Sequence, residues 1–216
     1  MQILKAKDIK ADKQTLLIYA PPGFGKTTLL GGLPGKTLII DVDQGTSVLQ
    51  GNEAVDIVRL DPSLSDLPQV VEMLQKKNDY DNVCIDSLSE LERAMLTAYG
   101  REGKNDGAPE MQHYLKVQYK LADYCRRFRG LSGNTVFTAW EDLREFIAPS
   151  GEKYTQARPL LGGKSIDLIC GLCDTVGRLV ISQKDGERYI QLEGSSTVVA
   201  KDRLKKRKFC KFEELI

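Results

Sequence analysis

Thr15-Leu16-Leu17-Ile18-Tyr19-Ala20-Pro21-Pro22-Gly23-Phe24-Gly25-Lys26-Thr27-Thr28-Leu29-Leu30 decides how the chain is read. An apolar run, Leu16 to Tyr19, breaks into a glycine and proline loop. Gly25-Lys26-Thr27 then opens an apolar stretch that reads as a helix start. Strand, glycine loop and helix in that order are the context a phosphate-binding P-loop requires. Successive N–H groups in such a loop converge on phosphate oxygens, and the helix N-terminus adds partial positive charge. The expected nucleotide cradle is Pro22, Gly23, Phe24, Gly25, Lys26, Thr27 and Thr28. Lys26 should reach the β- and γ-phosphates, and the Thr27 hydroxyl should ligate Mg2+. Ala20 stands where such loops usually begin with glycine. Pro21 and Pro22 donate no N–H, which moves the phosphate donors to Gly23 and beyond.

The 216 residues suffice for one sizeable α/β domain. A net charge of +1 gives no chain-wide argument for nucleic acid, so any such surface must be a local cluster. No apolar run is long enough to span a bilayer and no signal-peptide pattern is present, which predicts a soluble, cytoplasmic protein with no membrane partner. Of the five cysteines, Cys170 and Cys173 form a C-x-x-C. With no second pair and a single histidine, His113, they cannot complete a four-ligand zinc site. Core packing and redox use are the two readings left for them.

Around the P-loop the apolar pattern alternates between strands and helices. Strands are expected at 37–42, 55–60, 82–86 and 135–139, and helices at 64–77, 88–99, 111–128 and 166–172. Ser65 and Asp66 are candidate caps for the first of these helices. Residues 1–14 read as an edge segment, and 100–109 as a mobile glycine-rich loop. Residues 142–163 lack a period and read as a functional or disordered loop. Thr175–Ser182 and Arg188–Leu192 flank a turn at Lys184-Asp185-Gly186-Glu187, a β-hairpin signal. Together these predict one α/β domain over 1–204, a mostly parallel sheet flanked by helices with a C-terminal β-hairpin, followed by a basic tail at 205–216.

Asp86 ends the apolar strand Asn82-Val83-Cys84-Ile85, the Walker B position, where its carboxylate would hold Mg2+ together with Thr27. Ser87 follows instead of an acid, so a base for the hydrolytic water must come from elsewhere. Asp43 is the first candidate, because strand C-termini line the ligand crevice of a doubly wound sheet. Glu90 is the second, weakened because a helix after such a strand often turns its side chains away.

Three stretches taken together, Ala20 to Thr27, Ile39-Ile40-Asp41-Val42-Asp43-Gln44-Gly45 and Val83-Cys84-Ile85-Asp86-Ser87-Leu88-Ser89, resemble the RecA-like core ATPases. In size and motif order the chain is similar to small phage nucleotide-binding proteins, including the RecA-like branch of phage single-strand annealing proteins. The resemblance covers residues 12 to about 204. It implies a RecA-like P-loop NTPase core that binds ATP and Mg2+ and forms a homo-oligomer. It also implies action on single-stranded DNA, with a single-strand binding protein as a further partner. It implies that Asp43 activates water, although such proteins usually carry Glu there, one methylene longer. Thr138 and Glu141 are the polar groups available near the γ-phosphate sensor, and Trp140 sits where a smaller polar residue is common. Lys201 and Arg203 look like the pair that RecA-like oligomers insert into a neighbour's ATP site.

Two basic stretches are candidate DNA surfaces. Residues 201–211 carry seven Lys or Arg with Phe209 and Phe212 interleaved, the mix that tracks a phosphate backbone and stacks on bases; a solvated terminal charge run reads equally well. The 142–164 segment adds Arg144, Lys153, Tyr154, Arg158 and Lys164. The expected function is a slow, DNA-dependent ATPase. Its rivals are a nucleotide-set assembly module without turnover and a P-loop small-molecule kinase.

Overall fold

Every side chain of β1 (Thr15–Ala20) is buried, because strands flank it on both sides and both sheet faces are covered. Its alternation divides the core. Leu17 and Tyr19 point to one face, with the apolar sides of the longer helices; Leu16, Ile18 and Ala20 point to the other, with Leu29 and Leu30 of the P-loop helix. The computed structural model describes Lys5, Lys7 and residues 13–216. Most of the edge segment expected at 1–14 lies outside the described residues.

The chain runs β1, α1 (Lys26–Leu30), β2 (Thr37–Asp41), β3 (Val55–Arg59), α2 (Leu67–Lys76), β4 (Asn82–Asp86), α3 (Leu88–Glu102) and α4 (Met111–Arg129). It continues through β5 (Asn134–Ile147), β6 (Lys153–Pro159), α5 (Ser165–Leu172), β7 (Thr175–Ile181), β8 (Arg188–Gln191), β9 (Lys201–Asp202) and β10 (Phe209–Cys210). The main sheet has the order β10-β8-β7-β1-β5-β4-β2-β3. β1 pairs in parallel with β5 and β7, β4 with β5 and β2, and β2 with β3. β7 and β8 form the expected hairpin, with β10 antiparallel on its edge. This is the predicted α/β arrangement, and it brings the C-terminal ends of β1, β2, β4 and β5 side by side.

Four local expectations are revised. First, β5 does not end at Ala139. It runs on to Ile147 and pairs antiparallel with β6 from Glu141↔Pro159 to Ile147↔Lys153, so the segment expected as an aperiodic loop is a β-hairpin. Its exposed faces mix apolar, acidic and basic residues, which hides the period of two. Second, α3 extends to Glu102, shortening the glycine-rich loop.

Third, Asp66 holds the N-cap position of α2 but accepts from the Asp61 N–H at 2.9 Å instead of capping the helix. Fourth, residues 205–216 are anchored at two points, while Lys205, Lys206, Lys208, Phe209 and Lys211 stay exposed. β10 extends the sheet, Cys210 is buried and Leu215 is 0 % exposed. Lys211 pairs with Glu187 at 2.6 Å, Lys208 with Glu193 at 3.2 Å and Arg207 with Asp202 at 2.7 Å.

Candidate functional site

The P-loop turns on two glycines. Gly23 (φ 81°) and Gly25 (φ 90°) lie in the left-handed region that disfavours side chains, and α1 starts directly after them. Lys26 folds back over the loop. Its Nζ donates to the carbonyl oxygens of Ala20 at 3.0 Å and Pro21 at 3.1 Å. Burial lowers the Lys26 pKa, while Asp86, Asp43 and Glu141 oppose that shift. Phe24 is the expected cradle residue whose side chain turns away, packing against the core.

Thr27 and Asp86 meet as expected. The Thr27 hydroxyl donates to Asp86 Oδ2 at 2.6 Å, and the Thr138 hydroxyl donates to Asp86 Oδ1. Asp86 is 1 % exposed. Burial pushes its pKa up; the two hydroxyls pull it down, Asp43 adds to the rise and Lys26 counters it. Hard oxygen donors from one carboxylate and one hydroxyl suit Mg2+, which takes few protein ligands and completes its shell with phosphate and water. Among the described residues no group of three or more His, Cys, Asp or Glu is gathered for a metal.

Asp43 is presented by a turn that Asp41 builds. The Asp41 carboxylate, buried at the end of β2, accepts from Gly45 N–H at 3.2 Å and from the Thr46 hydroxyl at 2.5 Å. The N–H groups of Val42 and Asp43 both donate to the Asp86 carbonyl, at 2.8 and 3.1 Å. Asp43 Oδ1 then accepts from the Ser87 N–H at 3.0 Å and the Ser87 hydroxyl at 2.9 Å. Asp43 Oδ2 accepts from the Trp140 indole N–H at 3.2 Å.

Glu90 does not turn away. It lines the same cleft of about 750 Å³ as Lys26, Thr27, Asp43 and Asp86, and burial, then Asp43, raise its pKa against the pull of Arg93. The other sensor candidate, Glu141, is committed elsewhere. Arg178 binds it through two nitrogens, at 2.7 and 2.9 Å.

A second cavity of about 490 Å³ adjoins the first and shares Gly25 and Thr28 with it; Arg188 and Phe212 form its far side. Arg188 donates to the Phe24 carbonyl at 3.0 Å. A Cβ at Gly25 would stand 3.2 Å from the Arg188 Nε, so the guanidinium lies directly against the loop. Sequence reasoning missed Arg188, because it arrives from the far hairpin. It also missed the contact of Trp140 with Asp43; the position of a lone tryptophan straight after the sensor strand was the available signal.

Lys201 and Arg203 are not brought to this cleft. β9 pairs with Thr175 and Val176, the start of β7, whereas the P-loop leaves β1 at the end level with Arg178. Arg203 pairs with Asp174 at 3.4 Å. All five cysteines are free. Burial pushes Cys170 up to about 11 and Cys173 well above the usual thiol range, which favours the packing reading. Among the described residues no helix is long and apolar enough to cross a membrane.

The topology is a mostly parallel sheet flanked by helices, with the glycine loop at the C-terminal end of β1 opening onto the cleft. No curated protein matches the chain. Among solved structures it is similar to an ATPase from the type III secretion system of pathogenic bacteria, with 17% identity and a TM-score of 0.48, covering 77% of this chain and 51% of that one. The chain thus spans about half the length of the secretion ATPase. It is also similar to a KaiC-like protein from Pyrococcus horikoshii OT3 (15% identity, TM-score 0.45, 82% of this chain and 77% of that one). A third similar structure is the flagellar accessory protein FlaH from Methanocaldococcus jannaschii (11% identity, TM-score 0.44, 91% and 83%). Residues 12–204, which hold the P-loop, Asp43, Asp86 and the hairpin root, match the AAA domain family, and the chain belongs to that family.

Proposed function

We propose that the protein binds ATP with Mg2+, hydrolyses it slowly, and uses that cycle on single-stranded DNA in phage recombination or replication. The observation that carries the reading is the meeting of Lys26, Thr27, Asp86 and Asp43 on one cleft. Lys26 would release its loop carbonyls for phosphate oxygens, and Gly23 to Thr28 would supply N–H donors. Thr27 and Asp86 would hold Mg2+, which when bound supplies positive charge against the phosphates. Asp43 would accept a proton from water as the water oxygen bonds to the γ-phosphorus and the bond to ADP breaks; the proton then passes to solvent. The nucleoside end would enter the second cavity, between Arg188 and Phe212.

The DNA part rests on the β5–β6 hairpin and on the C-terminal residues; in both, cations are ion-paired, Arg144 with Asp142 at 2.6 Å and Arg207, Lys208 and Lys211 with Asp202, Glu193 and Glu187, and the hairpin adds an aromatic pair. Phe146 and Tyr154 stack with centroids 5.7 Å apart, on the hairpin face that also carries Arg144 and Arg158 by register. Cytoplasmic homo-oligomers would place Lys201 and Arg203 against a neighbour's γ-phosphate, which would require Arg203 to leave its ion pair with Asp174.

The test is ATP hydrolysis with and without single-stranded DNA, for wild type and Lys26→Ala. The expected result is DNA-stimulated turnover that Lys26→Ala abolishes. No stimulation in the wild type refutes the DNA role, and an unchanged Lys26→Ala rate refutes the ATPase reading. One observation favours nucleotide-set assembly without turnover: Asp43 is short and both its oxygens are hydrogen-bonded. Single-turnover hydrolysis decides between the two.

A further inference from the structure

Asp43 is held by three donors, and they divide unequally. Oδ1 takes both the N–H and the hydroxyl of Ser87, which fills its two acceptor sites. Among the described residues Oδ2 accepts only from the Trp140 indole, which leaves it one acceptor site. Oδ2 is therefore the oxygen able to take a proton from water. Ser87 alone would fix one oxygen and let the other swing about the side-chain torsions; a donor on the second oxygen fixes the plane.

Trp140 is itself fixed from several sides. Its backbone N–H donates to the Ser89 hydroxyl at 2.9 Å, and its backbone carbonyl accepts from Leu160 N–H at 2.7 Å. The Arg93 guanidinium lies over the ring, 4.6 Å from its centroid. Ser89 also donates to the Leu160 carbonyl at 2.9 Å. Trp140 is the last β5 residue paired with β1, and Glu141, next to it, is the first paired with β6. One side chain at the root of the hairpin thus reaches the acid at the end of β2.

We propose that Trp140 is the positioning residue for Asp43: its indole N–H holds Oδ2 at the cleft, and its seat at the hairpin root ties that hold to the hairpin. The proposal rests on Asp43 as the group that activates water. Trp140→Phe keeps the ring and its cover by Arg93 but removes the N–H. We expect kcat to fall roughly tenfold while KM for ATP changes less than about twofold. In an Asp43→Ala background the same substitution should cost nothing further, because the group it positions is gone.

A spectroscopic arm uses the native indole. Trp140 is the sole tryptophan, so Asp43→Ala, which leaves it in place, should shift its emission. This arm stands even where Trp140→Phe fails to fold. A dead Asp43→Ala beside a Trp140→Phe of normal kcat overturns the proposal alone. An equal loss in both backgrounds, or an emission spectrum unmoved by Asp43→Ala, also overturns it. Wild-type turnover in Asp43→Ala overturns the reading of Asp43 and the proposal with it.

Discussion

Thr138→Val tests whether the buried Asp86 carboxylate is stabilised as the geometry states. Asp86 is 1 % exposed and Thr138 0 %, so solvent cannot replace a lost donor. Valine keeps the shape of threonine and removes the hydroxyl that bonds Asp86 Oδ1. A hydrogen bond to a charged group contributes about 1.5–3 kcal/mol. At this chain length each kcal/mol moves Tm by about 2–4 °C, so the variant should melt roughly 3–12 °C below wild type. Thr135→Val, on the same strand, is the control. Its hydroxyl is also buried but donates to the neutral Phe128 carbonyl at 2.9 Å, which should cost only about 1 kcal/mol.

The sign with pH follows from Asp86. Burial raises its folded pKa above the unfolded value, so the stability linked to its proton is fully present below the unfolded pKa and is lost as pH rises through the folded pKa, above which the ionised form carries the full cost. Loss of the hydroxyl adds to the cost of the ionised form. The Thr138→Val deficit should therefore shrink on acidification, while the Thr135→Val deficit stays constant. Thermal melting of the nucleotide-free chain across a pH series is the assay. Equal deficits at neutral pH for the two variants, or a Thr138→Val deficit that grows on acidification, would refute the account.

Two further outcomes follow from burial. Deleting residues 209–216 removes β10 and the fully buried Leu215, which should cost roughly 3 kcal/mol or more; a truncated chain that melts with the full one would return these residues to a solvated run. Cys170, pushed up to about 11 by burial, should be only ~0.1% thiolate at pH 8, against about a quarter for a free thiol. Iodoacetamide should modify it roughly two hundredfold more slowly at that pH and faster as pH rises, and rapid labelling at neutral pH would revive the redox reading of the C-x-x-C.

Much of the fold was legible because buried parallel strands are apolar on both faces. β1, β2 and β4 each show continuous burial, and each stood out in the sequence as an unbroken apolar run closed by a turn or an acid. The β5–β6 hairpin escaped for the opposite reason. Beyond its root neither face of β5 is fully withdrawn from water, so Leu143 and Ile147 share a row with Glu145, and Phe146 shares one with Asp142 and Arg144. Hydrophobic alternation reports a strand only where one face is withdrawn from water. The anchored C-terminus escaped because its fixed points, Cys210 and Leu215, are spaced among lysines and glutamates.

The site was legible where function constrains residue type at short range, and opaque where it depends on approach in space. Gly25-Lys26-Thr27 and the acid ending β4 carry their chemistry in local spacing. Asp43 and Trp140 each looked irregular alone: an acid one methylene short, and a bulky indole where a smaller polar side chain is common. They are separated by 97 residues in sequence, yet their polar atoms lie 3.2 Å apart. The two irregularities are complementary. The indole crosses part of the gap from the wall formed by β5, and the shorter acid leaves room for it. The two departures from the pattern that the RecA-like resemblance implies thus meet in one hydrogen bond, and under the positioning role proposed above for Trp140 a short acid would be set in place by a rigid donor.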